Sequence, residues 1–217
     1  MKRYFFYVIV IIAMVSCQKE RVTGSGPVST EQRNVSGFSS VNVSGSSNVF
    51  ITQGSAFDVK VKAYSNLIPY LETKVQNGTL LIAYKSNSNV RNDNSEVYIT
   101  MPALSELTTN RSGNINSTGD FSGIDNLNAS VSGSGNISIE SGVANNFKIT
   151  ISGSGDVKSF GLSAKQADVS ISGSGDVQVT VLENLKASIN GSGNIYYKGN
   201  PPTVNSHISG SGQVIKQ

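Results

Sequence analysis

Through the second half of the chain apolar and polar residues alternate, and one short glycine-rich phrase breaks the alternation at regular intervals. Phe147, Ile149 and Ile151 interleave with Lys148, Thr150 and Ser152, and Ala167, Val169 and Ile171 with Asp168, Ser170 and Ser172. Leu185, Ala187 and Ile189 interleave in the same way with Lys186, Ser188 and Asn190. Period two with β-branched side chains predicts half-buried strands. The interruptions read VSGSGNI (Val131–Ile137), ISGSGDV (Ile151–Val157), ISGSGDV (Ile171–Val177), INGSGNI (Ile189–Ile195) and ISGSGQV (Ile208–Val214), with a degenerate NRSGNI at Asn110–Ile115. Their last glycines, Gly113, Gly135, Gly155, Gly175, Gly193 and Gly212, lie 22, 20, 20, 18 and 19 residues apart. A period this constant marks stacked units, none of which can bury its apolar side alone.

Each GSG supplies a sharp corner, because glycine reaches positive φ without a Cβ clash. Strand, corner, strand and a looser return such as Ser159–Gln166 make one coil. Parallel stacking of coils at about 4.8 Å sets like residues over like. Val131, Ile151, Ile171, Ile189 and Ile208 should form one inward column, and Ile137, Val157, Val177, Ile195 and Val214 a second. The expected fold is all-β, a right-handed parallel β-helix with about 20 residues per coil, since parallel crossovers are almost always right-handed. An antiparallel meander or sandwich would also alternate, but it would not need near-identical corners at a fixed interval.

Residues 35–110 carry a different text. Phe38–Val43, Val49–Thr52, Phe57–Tyr64 and Val97–Met101 read as strands, and Ser65–Glu72 as a turn of helix that Pro69 keeps short. Asn77-Gly78 between Val75 and Thr79–Tyr84 signals a hairpin, and Ser86–Asn94 a loop. Ser44-Gly45-Ser46-Ser47-Asn48-Val49 is a faint copy of the repeat, with Asn48 placed 66 residues before Asn114. About three periods fit that interval, so longer, decorated coils should begin the same architecture and cap its strand edge. Pro201, Pro202 and Lys216 would blunt the other end. The regular repeat then occupies residues 111–217.

Ahead of the fold, residues 1–16 read as an export signal. Lys2 and Arg3 precede the short apolar run Tyr4–Val15, too short for a membrane span. Met14-Val15-Ser16-Cys17 resembles a bacterial lipobox, which implies cleavage before Cys17 and its acylation. A plain secretory signal with a leftover thiol is the alternative. Cys17 is the one cysteine of the chain, which leaves no disulfide framework and no thiolate metal cluster. Residues 17–34, polar and holding Gly24, Gly26 and Pro27, read as a flexible tether. Gln18-Lys19-Glu20 loosely resembles the surface-export signal of Bacteroidetes lipoproteins. The net charge of +3 owes two of its 17 basic residues to the export signal, and 14 acidic ones nearly balance the rest, so nothing supports nucleic-acid binding.

The GSG-[Asn/Asp]-[Ile/Val] repeats, the segment Val97-Tyr98-Ile99-Thr100-Met101-Pro102-Ala103-Leu104 and the Asn77-Gly78 hairpin resemble the head GIN domain of auto-transporter adhesins. The resemblance spans roughly Val35 to Lys216. It implies a β-helical fold and an envelope or surface location, and it brings no binding residues with it.

Candidate chemistry is sparse. Asn136, Asp156, Asp176 and Asn194, with Gln213, should stack in one file behind the corner glycines. GSGDV superficially resembles a calcium β-roll, but the period is not nine and carboxylates are too few for an ion that takes six to eight oxygens. The file is therefore expected to be a structural turn ladder, with side chains bonded to the backbone and no metal or cofactor. Ser130, Thr150, Ser170, Ser188 and His207 should project outward beside Ser132, Ser152, Ser172, Asn190 and Ser209. A solvated sheet face is the plain explanation, and a glycan-binding face the sharper one. Ser170 and Ser172 are its candidate residues, with Tyr196 and Tyr197 as a thin aromatic platform, one of the two pointing inward. His207 has no acidic partner or nucleophile in a recognisable arrangement, no helix follows a GSG to make a phosphate loop, and no GxSxG elbow is present. The expected function is a non-catalytic outer-membrane lipoprotein held by an N-terminal lipid anchor, an adhesin-like or scaffolding β-helix. A carbohydrate-binding or carbohydrate-active envelope protein is the alternative, with a glycan or protein as ligand.

Overall fold

The computed structural model describes residues 20–217. The export signal and Cys17 lie outside them. The N-terminal part runs through β1 (Glu20–Thr23), β2 (Val28–Gln32), β3 (Ser40–Gly45), β4 (Asn48–Gln53) and β5 (Asp58–Tyr64). After a 3-10 turn at Ile68–Tyr70 come β6 (Leu71–Gln76), β7 (Thr79–Tyr84), β8 (Ser88–Arg91), β9 (Glu96–Met101) and β10 (Glu106–Arg111). The long coils are β11 (Ile115–Gly133), β12 (Ile137–Gly153), β13 (Val157–Gly173) and β14 (Val177–Gly191). β15 (Ile195–Lys198) and β16 (Thr203–Gly210) form the last full coil, and β17 (Val214–Lys216) starts another over β15. The molecule is an all-β parallel β-helix.

Alternation becomes burial because each coil lies in parallel register on the previous one. Val131, Ile151, Ile171, Ile189 and Ile208 are successive partners. So are Ile137, Val157, Val177, Ile195 and Val214. Within a coil the inward residues fall in short runs, Ile137 and Ile139, then Ala144, then Phe147, Ile149 and Ile151, and the chain bends between runs. Side-chain size is fitted along the columns: Phe147 lies between Leu127 and Ala167 in register, with Leu185 on the far side of the alanine. Such packing keeps the interior near crystal density. Differences in coil length are absorbed in the return, where the β13–β14 register shifts between Ser159 and Ser163 and again between Ala164 and Gln166.

The corners are tighter than φ alone requires. The first glycine of each GSG does occupy the left-handed region, as Gly153 does at φ +137°. The second does not, and it is glycine for a different reason: a Cβ on Gly155 would lie on the carbonyl oxygen of Gly135 one coil below. Gly175, Gly193 and Gly212 meet the preceding coil in the same way. The carbonyl of Gly133 accepts N–H bonds from Ser154 at 2.8 Å and Gly155 at 3.2 Å, which holds successive corners together.

At the N-terminal end, order in space departs from order in sequence. β3 pairs with β10 on one side and β7 on the other, and β4 pairs with β11 and β9. Asn48 and Asn114 therefore belong to adjoining rungs, not to rungs three periods apart. The intervening chain folds back to place β7 and β9 outside β3 and β4. Antiparallel strands finish this end: β6 on β7, β5 on β9 and β2 on β5. The β6–β7 hairpin turns through Asn77 at φ 49° and Gly78 at φ 76°, both left-handed as a tight two-residue turn demands.

Three expectations need correction here. The stretch read as a tether contains β1, parallel to β8, and β2, antiparallel to β5. These are edge strands that bury little; Val22 alone of β1 enters a small cluster with Ala63, Leu67 and Ile68, so the pattern was too polar to show. Residues 86–94, read as a loop, accordingly contain β8. Ile208 is in column with Ile189 but 41% exposed, since no strand of the described residues lies on its other side.

Substituting Gly155 by Ala should cost more than about 3 kcal/mol in urea unfolding, since backbone, not a flexible side chain, stands where the methyl must go. An equal Ser154→Ala substitution, at an exposed corner position, should stay within about 0.5 kcal/mol.

Candidate functional site

Immediately behind the corners, short amide and carboxylate side chains link the coils. Oδ1 of Asn114 accepts the N–H of Asn136 at 3.0 Å, and Oδ1 of Asn136 that of Asp156 at 2.9 Å. Asp156 receives Asp176 N–H at 3.0 Å, Asp176 receives Asn194 N–H at 2.7 Å, and Asn194 receives Gln213 N–H at 3.1 Å. One methylene of reach is what this bond needs, so Asn and Asp interchange along the file. Gln213 is the last member of the file among the described residues. Amide N–H groups add rungs, from Asn194 to Asp176 at 3.1 Å and from Asn114 to Asn48 at 2.9 Å. One oxygen of each stacked aspartate is thus committed to backbone. Among the described residues no group of three or more His, Cys, Asp or Glu converges.

The outward files lie in register as well. Ser130, Thr150, Ser170, Ser188 and His207 are neighbours coil to coil, as are Ser132, Ser152, Ser172, Asn190 and Ser209. Ser170 and Ser172 are exposed at the middle of this sheet face. The face carries a lateral ion pair, Lys186 to Asp168 at 3.3 Å, which at such exposure contributes little. Tyr197 points inward and packs on the core next to Val179, while Tyr196 lies outward beside Gln178. The two tyrosines therefore do not form one platform. His207 lies on the exposed last coil.

Two features were invisible in the linear pattern. Phe50 and Tyr98 are partners across β4 and β9, with ring centroids 5.2 Å apart and planes 19° from parallel. Tyr98 is 40% exposed. Its hydroxyl donates to Glu96 at 2.7 Å, and Lys62 donates to the same carboxylate at 2.8 Å. The Lys62 ammonium, then the Tyr98 hydroxyl, hold the Glu96 carboxyl below the usual range. Only the pairing of strands about fifty residues apart stacks these rings.

The second feature is a cleft of about 700 Å³ at the N-terminal corners. In the coil regions a tight GSG joins one strand to the next. Between β7 and β9 the chain instead makes the excursion that carries β8, and it leaves a hollow over the corners of β3 and β10. Tyr84, Lys85, Ser88, Asn89, Arg111 and Ser112 are among its lining residues. The Tyr84 hydroxyl donates to Asp93 at 2.6 Å, and burial, reinforced by that bond, keeps it protonated well above the ordinary phenol range.

This arrangement defines a rigid β-solenoid whose outer faces, open at every coil, are its chemistry. The chain belongs to the family described as "Putative auto-transporter adhesin, head GIN domain", whose model matches residues 37–201. That family carries no catalytic assignment. Among solved structures, a protein of Bacteroides fragilis described as a putative adhesin superposes with a TM-score of 0.75 at 21% identity, over 90% of this chain and 100% of that one. One from Parabacteroides distasonis, described as a putative lipid binding protein, gives 0.55 at 27% identity over 91% and 100%. A putative adhesin of Parabacteroides merdae gives 0.54 at 23% identity over 91% and 99%. No protein of curated function matches the chain.

Replacing Asp176 by Ala should leave the Asn194 N–H without its acceptor and cost about 1 kcal/mol. Asp176→Asn keeps the acceptor and should change stability by only about 0.3 kcal/mol. Urea denaturation of both variants distinguishes a hydrogen-bond ladder from a file of solvated side chains.

Proposed function

We propose that the chain is a non-catalytic, lipid-anchored protein of the bacterial outer envelope that presents its β-helical faces for adhesion or scaffolding. The carrying observation is the stack itself: Ser, Thr and Asn repeat along the outward files at the fixed spacing of the coils, in a member of an adhesin-described family. Hydroxyls and amides held on a rigid backbone lose little freedom on binding, which is how a weakly charged surface gains affinity. Cys17 supports the anchor through its place in Met14-Val15-Ser16-Cys17, three residues ahead of β1.

A carbohydrate-binding role is the second reading, and the Phe50–Tyr98 stack favours it. Sugar rings pack on exposed aromatic faces, and Glu96 and Lys62 stand beside this pair to bond hydroxyls.

A glycan and matrix-protein array probed with the chain from Gln18 onward, which retains β1, tests both. Retention that Ser170→Lys and Ser172→Lys reduce at least fivefold supports the repeat face; retention that Tyr98→Ala alone abolishes supports the aromatic pair. An array with no retained ligand overturns both. For the anchor, Cys17→Ser should move the protein from the membrane to the soluble fraction, and protease added to intact cells should cleave the native protein if it faces outward.

A further inference from the structure

The repeat allows glycine alone at the first position of each GSG, yet the degenerate copy at Asn110–Ile115 carries Arg111 there. In register Arg111 lies between Gly45 and Gly133, and it keeps the glycine-like backbone, at φ +87°. Asn77 and Asn92 are the other non-glycine residues at positive φ among the described residues, and asparagine tolerates that region far better than a long side chain does. Strain held at one position of an otherwise regular series points to a use for its side chain.

The location of that side chain supplies the use. Arg111 lines the cleft at the N-terminal corners together with Lys85, and no residue lining the cleft is acidic. Among the described residues the Arg111 guanidinium has no ion-pair partner. Asp93, the nearby carboxylate, is taken up by the hydroxyls of Ser46 at 2.6 Å and Tyr84 at 2.6 Å and by the Ser95 N–H at 2.9 Å. The Lys85 ammonium rests 5.7 Å from the centre of the Tyr70 ring, which restricts where its charge can sit. Serines from three separate segments, Ser44, Ser88 and Ser112 among them, line the same cleft as Arg111 and Lys85, and Asn89 adds an amide. A planar guanidinium matches a carboxylate or phosphate with paired N–H bonds, and ringed hydroxyls match a polyol.

We infer that this cleft is a binding site for an oxyanion carried on a hydroxyl-rich ligand, a sugar or polyol bearing a carboxylate or phosphate, with Arg111 as its principal anion contact and Lys85 as its second. The cleft continues the outward file through Ser44 but includes none of Ser170, Ser172, Phe50 and Tyr98, so the variants that test it are distinct from those that test the adhesion reading. Its ligand can come from free acidic saccharide or from a lipid headgroup, since β1 leads the chain in alongside: Glu20 N–H bonds the carbonyl of Asn87, between cleft residues Ser86 and Ser88.

Calorimetry on the full chain carrying Cys17→Ser, so that no acyl group contributes, separates these sources. The probes are galacturonic acid, glucose 1-phosphate, neutral galactose, and vesicles of phosphatidylcholine with or without phosphatidylglycerol. Binding of an acidic sugar, or of phosphatidylglycerol vesicles alone, is expected, and it should weaken as salt is raised. Arg111→Gly restores the residue of the repeat, so its thermal midpoint should equal or exceed that of the parent, while binding falls at least tenfold. Lys85→Gln should weaken binding several-fold at an unchanged midpoint. Response to sugars assigns a saccharide, and response to vesicles alone a headgroup. Equal binding by Arg111→Gly and the parent, galactose bound as tightly as galacturonic acid, or no response to any probe overturns the proposal.

Discussion

Backbone carbonyls at the corners come so close to the next coil that no atom larger than hydrogen can stand on the second glycine of a GSG. Everything regular in the molecule follows from that proximity. It fixes the distance between coils and so brings the N–H of each residue after the corner within reach of an Asn or Asp side chain below. It also forces Ile151 over Val131 and Ile171 over Ile151, so the aliphatic columns are a consequence of the corners as much as of hydrophobic burial. Burial supplies most of the free energy; the glycines decide which register receives it.

The same constraint explains what the sequence made legible. A residue that must be glycine at every turn leaves a periodic trace, and so does a side chain that must be Asn or Asp. Coil length, the two inward columns and the outward hydroxyl files could thus be written down from single letters. Positive φ was the wrong reason for half of those glycines, because a close approach between chains leaves the same letter behind as a left-handed turn. The candidate residues Ser170 and Ser172 lie together on one open face, whereas Tyr196 and Tyr197 point to opposite sides of their strand.

Illegible features share a physical cause: they depend on pairing between distant segments with no repeated letter to mark it. β1 and β2 are held at an edge by backbone bonds and one buried valine, and backbone bonds are indifferent to side-chain type. The placement of β7 and β9 outside β3 and β4 needs the chain to double back, which no periodicity records. The Phe50–Tyr98 stack and the corner cleft are products of that doubling back. Arg111 is the partial exception, since a basic residue where every regular copy has glycine was readable as an irregularity, though not as part of a cleft.

The two ends of the helix are built on opposite principles. Antiparallel strands seal the first, while β16 leaves Val204 and Ile208 uncovered at the second. Under tension applied between the entry of the chain and its last residue, the two ends would therefore yield differently. The uncovered end is held by a single neighbour and would peel coil by coil, each step releasing about twenty residues of slack, while the sealed end would resist as a sheared, interlocked sheet. Such a molecule would lengthen in increments under load and keep its sealed portion folded, as a shock absorber does.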